Sequence, residues 1–243
     1  MSNYMESFIQ KPTGIIIVRH IRDYPSFFAW SSCYHSIRKC MHDISIVVID
    51  DHSDKDFINP AFEDSLTNTV IIENDTNGRG EMLAYYYLLK YKFFTRTAIL
   101  HDSIVVNKPI DFDQVNDCSF FWGFDGKKWD RTVTPYIDTL EFETLKEVHN
   151  SVNWLGCFGC MSLITLNFLE KLDDKYQLKQ YATSAQTRMD RCIQERVFAL
   201  MVASITNVSC IHGIIHDWQT WNTAPHQASL FQHLPLVKTW LGR

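Results

Sequence analysis

The sequence predicts an α/β protein, a single domain over residues 1–243 with a central mixed, mainly parallel sheet flanked by helices. Three observations predict it. Gly14-Ile15-Ile16-Ile17-Val18 is an unbroken β-branched run with no polar alternation, as a strand buried on both faces requires. Two later apolar runs, Ile46 to Asp54 (IVVIDDHSD) and Ala98 to Val106 (AILHDSIVV), each end abruptly in acid. Segments of helical period separate the runs, so parallel strands joined by crossovers follow.

Taken in order, the first strand leads to Pro25, which a first helical turn tolerates, and then to Phe27, Trp30, Tyr34, Ile37 and Met41 at three- and four-residue steps. That spacing is a helix with one apolar face. A second strand spans Ile44 to Ile49 and a short third one Thr69 to Ile72. Asn77-Gly78-Arg79-Gly80 breaks the chain, and strong helix formers from Glu81 to Tyr91 put Glu81 near a helix N-terminus. The fourth strand, Ala98 to Leu100, runs into His101-Asp102-Ser103. Residues 13–106 form one half and residues 107–217 the other, with 218–243 a flap or wrap. The second half offers a strand or helix between Asp138 and His149, and helices over Thr165–Leu172 and Asp190–Ser204. A short strand, Ile211 to His216, follows, with a histidine at its exit. There is no internal repeat.

With 46% hydrophobic and 14% aromatic residues the chain has material for a sizeable core. A formal charge of −5 gives no basic footprint, so a nucleic-acid partner is not expected. The seven cysteines are odd in number and scattered, which reads as reduced, buried thiols. Cys157 and Cys160 form a CxxC without a second ligand pair, better suited to packing beside a glycine turn than to zinc. No apolar run approaches the ~18 residues of a membrane span and the first residues lack a signal peptide's apolar segment, so a cytoplasmic protein is expected.

The chemistry lies at the strand ends, because carboxylates finishing parallel strands converge on one crevice. Asp50 and Asp51 are acceptors suited to the imide NH of a uracil or to ribose hydroxyls; an Asx turn is the competing reading. In His101-Asp102-Ser103 one carboxylate, a diphosphate and a distant histidine would fill the shell of a hard divalent cation, unless the segment is only a strand-end cap.

The succession IIIVRHIRD, IVVIDDHSD, ENDTNGRGEMLAYYYLL, ILHDS resembles the nucleotide-binding half of the GT-A glycosyltransferases, the family-2-like group of nucleotide-diphospho-sugar transferases. The match runs over about residues 13–106 and thins to Trp154–Asp217. The resemblance implies metal-dependent transfer of a hexosyl group from a nucleotide diphosphate sugar, UDP favoured over GDP, to a hydroxyl of a carbohydrate or glycoconjugate, with inversion. It puts Asp50 and Asp51 against base and ribose, Arg79 near base or diphosphate, and His101 beside Asp102, the aspartate that ligates Mn²⁺ or Mg²⁺. The chain departs from the family here, since HDS stands where a D-x-D is usual. The run NWLGCFGCMSLITLNFLEKL looks like the family's glycine loop, which brings Gly156 to the donor sugar. Apart from the resemblance, Trp154 and Trp218 are candidates to stack on sugar faces, since a pyranose presents CH groups to a ring, with core filling the competing reading. RMDRCIQERVFALM offers Asp190 at a helix start as general base and Glu195 as the alternative, and His216 matches a late metal-ligating histidine.

Two other readings compete. A sugar-phosphate nucleotidyltransferase would carry a glycine-rich, basic loop after the first strand, where this chain has RHIRDYP. A non-catalytic carbohydrate- or nucleotide-binding protein on the same fold would explain HDS.

Overall fold

The computed structural model describes residues 3–128, 137, 142–151, 153–217 and 223–240. Its strands are β1 (Lys11–Arg19), β2 (Ile46–Asp50), β3 (Thr69–Glu73), β4 (Phe94–His101), β5 (Ile104–Val106), β6 (Cys118–Phe120), β7 (Gly123–Asp125), β8 (Leu155–Cys157), β9 (Ser162–Thr165), β10 (Ser209–Cys210) and β11 (Leu236–Lys238). The helices are α1 (Asn3–Glu6), α2 (Tyr24–Cys40), α3 (Pro60–Asp64), α4 (Leu83–Tyr91), α5 (Glu143–Asn150), α6 (Leu166–Tyr176), α7 (Leu178–Ala182) and α8 (Arg188–Ala203).

Seven strands form the central sheet in the order β10-β6-β9-β4-β1-β2-β3. Every pairing is parallel except those of β9, which runs antiparallel to β4 and β6. This is the mixed, mainly parallel α/β sheet that the strand pattern predicts. β1 lies at its heart, buried from Gly14 to Arg19. Its side chains alternate between two cores. Ile15 and Ile17 pack with Trp30, Cys33 and Ile37 of α2, while Ile16 and Val18 pack with Leu88 of α4, Leu169 of α6 and Val197 of α8. Helices therefore cover both faces, which explains why β1 shows no polar alternation.

Helix α2 starts where Pro25 predicts. Asp23 caps it, accepting from the Ser26 N–H at 2.8 Å while the Ser26 hydroxyl answers the Asp23 N–H at 3.1 Å, a reciprocal capping box. Asp23→Ala is expected to lower unfolding stability by about 1 kcal/mol, read by urea denaturation with unchanged slope.

Other expectations shift. Ile211 to His216 is not a strand: β10 ends at Cys210, Gly213 adopts φ +76°, and Ile215–Asp217 closes a single 3-10 turn. A left-handed residue cannot continue an extended run, and only glycine takes it without cost. The stretch from Asp138 to His149 resolves into α5 from Glu143 onward; Asp138 lies outside the described residues, as do Trp218 and Trp221. All seven cysteines are free thiols, and burial raises Cys157 and Cys160 well above the ordinary thiol range, so neither is poised for redox or zinc chemistry.

The C-terminal segment has a defined place. β11 pairs antiparallel with β5, Lys238 opposite Ile104, and so returns the chain to the end of β4. Among the described residues no helix is long and apolar enough to cross a membrane.

Candidate functional site at the carboxyl edge of the sheet

Three parallel strands finish level, because Arg19 pairs with Asp50 and Val18 with His101. The residues after them, His20, Asp51 and Asp102, therefore meet at one edge and line a cleft of about 260 Å³. Hydrogen bonds across the strand ends fix them. Asp102 Oδ2 accepts from the His20 N–H at 3.0 Å, and His20 Nδ1–H donates to the Asp51 carbonyl at 2.7 Å. Asp51 Oδ2 accepts from the Gly80 N–H at 2.9 Å. Asp51 and Asp102 are 7% and 2% exposed, so their oxygens are met by a local set of donors and not by bulk water.

The facing wall comes from distant parts of the chain. Helix α8 presents Arg188, Arg191, Cys192 and Glu195, spaced three, one and three residues apart and so on one face. The 3-10 turn after β8 adds Phe158 and Gly159, and the C-terminal segment adds Lys238 and Trp240. Gly159 sits at φ +60°, and a Cβ there would come 2.5 Å from His101 Cε1. Glycine alone suits both the backbone and the gap. Gly159 then ties two ionisable groups together: its carbonyl accepts from His101 Nε2–H at 2.7 Å, and its N–H donates to Glu195 Oε1 at 3.1 Å.

Burial sets the charge states. Desolvation pushes the His101 pKa down to about 4, so the ring is neutral near pH 7. The Glu195 carboxyl moves the other way, to about 8, first through burial and then through the like charge of Glu81, against the lowering pull of Arg196, the Gly159 N–H and Arg191. Glu81 itself stands 3.6 Å from the Arg191 guanidinium. The cleft thus holds one carboxyl poised to exchange a proton near neutral pH, two strand-end carboxylates and three basic side chains.

Of the residues singled out from sequence that the structure describes, Asp51, His101, Asp102 and Glu195 converge here and the others do not. Asp50 is engaged elsewhere: its Oδ2 takes Arg19 Nε at 2.7 Å and its Oδ1 the Ser53 N–H at 2.8 Å, so the Asx-turn reading holds for it. Arg79 is exposed, its backbone N–H bonded to the Ala185 carbonyl, and the cleft's guanidiniums belong to α8 instead. Asp190 closes the α8 capping box with Thr187; backbone N–H groups of Gln186 and Thr187 hold its carboxyl below the usual range, which makes it a poor base. His216 is exposed on the 3-10 turn, outside the cleft lining. Trp154 is 5% exposed and lines a separate cavity with Glu147 and Val208, too enclosed to offer a stacking face to the cleft. Gly156 sits under the Phe124 ring, where a Cβ would come within 2.1 Å, so its small size serves packing. Trp218 lies outside the described residues.

Sequence reasoning missed Glu81, Gly159, Arg188, Arg191, Lys238 and Trp240 as cleft residues. The helical spacing of Arg188, Arg191 and Glu195 was available as a signal; for Lys238 there was none.

The donor set does not suit the divalent ion that the family resemblance implies. Asp102 is the single carboxylate of the HDS segment, and the neighbouring Ser103 Oγ accepts from the Lys238 ammonium at 2.5 Å. Among the described residues no three His, Cys, Asp or Glu side chains are grouped to hold a metal.

No family model and no curated protein matches the chain. Solved structures do. The glycosyltransferase GlyE of Streptococcus pneumoniae TIGR4 aligns at 11% identity and TM-score 0.44, covering 96% of this chain and 55% of that one. Core-mannan synthase A of Aspergillus fumigatus, in its Mn/GDP form, aligns at 11% identity and TM-score 0.41, over 81% of this chain and 69% of that one. TarS 1–349 of S. aureus in complex with UDP-GlcNAc aligns at 14% identity and TM-score 0.35, over 46% of this chain, which spans only 34% of that structure. What the chain is similar to, at low identity, thus includes a glycosyltransferase, a mannan synthase with Mn and GDP, and a protein holding UDP-GlcNAc.

Proposed function

We propose that this chain is a glycosyltransferase that moves a hexosyl group from a nucleotide diphosphate sugar, UDP favoured over GDP, to the hydroxyl of a carbohydrate or glycoconjugate. The observation that carries the proposal is the single cleft in which Asp51 and Asp102, at level strand ends, face Glu195 across a basic wall. Asp51, whose Oδ2 takes the Gly80 N–H and whose Oδ1 takes the Asn74 amide at 3.4 Å and stands 3.2 Å from His52 Nδ1, has further lone pairs for a ribose hydroxyl or base N–H. Arg188 and Arg191 supply charge at the diphosphate end. Trp240, 48% exposed at the cleft, offers a ring face to base or sugar.

Glu195 is the general base. As the acceptor oxygen bonds to the anomeric carbon, Glu195 takes its proton, the bond from that carbon to the phosphate oxygen breaks, and the nucleoside diphosphate departs with the electron pair. One displacement at one carbon inverts its configuration.

A panel of UDP- and GDP-sugars tests the reading, with donor hydrolysis and transfer followed by release of the nucleotide. Turnover of one donor is expected. Asp51→Asn keeps the side-chain shape but replaces an acceptor by a donor, and should weaken UDP binding about tenfold in calorimetry. A chain that neither binds nor turns over any nucleotide or nucleotide sugar would end the proposal.

A further inference from the structure

We propose that Lys238, delivered by the C-terminal strand, supplies the positive charge that neutralises the donor's diphosphate, so that donor binding proceeds without a divalent metal. This rests on the nucleotide-sugar reading above and deepens it.

Lys238 is 9% exposed and lines the same cleft as Asp102, a position a lysine takes only when its ammonium is partnered. Its ammonium donates to Ser103 Oγ at 2.5 Å and to the Thr239 carbonyl at 2.9 Å, which holds it beside the end of β4. The backbone that carries it is fixed as well. Lys238 pairs with Ile104, and Thr239 binds the Ser103 carbonyl through both its N–H at 2.9 Å and its hydroxyl at 2.8 Å. A charge mounted on a paired strand is already oriented before the ligand arrives, so little ordering is left to oppose binding.

Chemistry favours the same assignment. The HDS segment offers one carboxylate, and the hydroxyl next to it serves the lysine. A dication entering there would meet an ammonium of like sign, whereas a diphosphate meets Lys238 together with Arg188 and Arg191, and all three are donors suited to phosphate oxygens. The departing nucleoside diphosphate gains negative charge at the bridging oxygen as its bond to the sugar breaks. A fixed ammonium stabilises that charge in the same sense as a metal.

The test is calorimetry of the full chain with UDP, GDP and uridine, in EDTA and in Mn²⁺. For the better nucleotide, affinity in EDTA within about threefold of that in Mn²⁺ is expected, with the diphosphate bound more than tenfold tighter than the nucleoside. Lys238→Met should weaken diphosphate binding in EDTA more than tenfold and leave uridine within twofold, while Lys238→Arg, which keeps the charge, stays within a few fold of the parent. Should Lys238→Met fail to fold, the parent's metal independence and the Arg variant still decide. Binding that appears only with Mn²⁺, or that ignores loss of the Lys238 charge, overturns this inference and leaves the glycosyltransferase reading standing. Absence of binding by every nucleotide in both buffers overturns the glycosyltransferase reading itself.

Discussion

With Glu195 as the base of the proposed glycosyl transfer, replacing it by Gln is expected to lower that transfer by about 10²- to 10⁴-fold while donor binding stays within a few fold, since the amide keeps the bond from the Gly159 N–H and loses the ability to take a proton. The pH dependence should be distinctive. A carboxylate base with an ordinary pKa would be fully active by pH 6; Glu195, raised to about 8 by burial and by Glu81, keeps its proton at neutrality, so kcat/KM should climb with pH and level off only above about 8. Removing the like charge by Glu81→Gln should shift that limb to lower pH, a result that a purely structural role for Glu195 would not give.

The same group affects stability, with a definite sign. Below the ordinary value near 4.5 Glu195 is neutral in both folded and unfolded chains and imposes nothing. Between about 4.5 and about 8 the unfolded chain has released the proton and the folded chain has kept it, so unfolding stability falls as pH rises through that window and then levels off. Because the cleft is open to solvent, the total is on the order of 1–3 kcal/mol. Glu195→Gln should abolish this component, making the variant relatively more stable at pH 9 than at pH 5 in paired thermal melts.

The second large effect is structural. Arg19 is 2% exposed at the end of β1, holding Asp50 through Nε at 2.7 Å and Glu63 through Nη1 at 2.5 Å, with its guanidinium over the Trp30 ring at 5.5 Å. Arg19→Met leaves the Asp50 carboxylate buried without its counter-charge, and breaking such a pair costs about 3–5 kcal/mol. For a chain of this size that corresponds to a drop in Tm of roughly 10 °C. Arg19→Met combined with Asp50→Leu should recover most of the loss, because the stranded charge, and not the missing attraction, dominates the cost. If the double variant is no better than the single, the stability resides in the Arg19 contacts with Trp30 and Glu63 instead. Function should follow stability here: Asp50 precedes Asp51, whose N–H donates to the Arg19 carbonyl at 2.8 Å, so loosening the ends of β1 and β2 disturbs a cleft residue.

Much of this molecule is visible as local pattern. The β-branched run of β1 demanded burial on both faces, the Pro25 start and apolar stripe of α2 demanded one face on a sheet, and IVVIDDHSD and AILHDS announced acid at strand ends. Parallel pairing then puts those ends on one edge, which is why Asp51, His101 and Asp102 were found together. The pattern could not say which acid of the Asp50-Asp51 pair faces the cleft. That depended on Arg19, whose partner is 31 residues away. The pattern put Asp190 ahead of Glu195 for its place at a helix start, whereas the capping turn that occupies Asp190 and the cleft position of Glu195 arise only from the folded chain.

Periodicity within a few residues is enough to give the α/β class, the strands and helices of the first half and the acidic strand ends. Tertiary structure alone decided the opposing wall. Lys238 reaches Ser103 across 135 residues, and Gly159 reaches Glu195 across 36. Contacts of that range leave no periodic trace in the chain, because they follow from how the sheet edge, helix α8 and the returning C-terminal strand pack around one cleft.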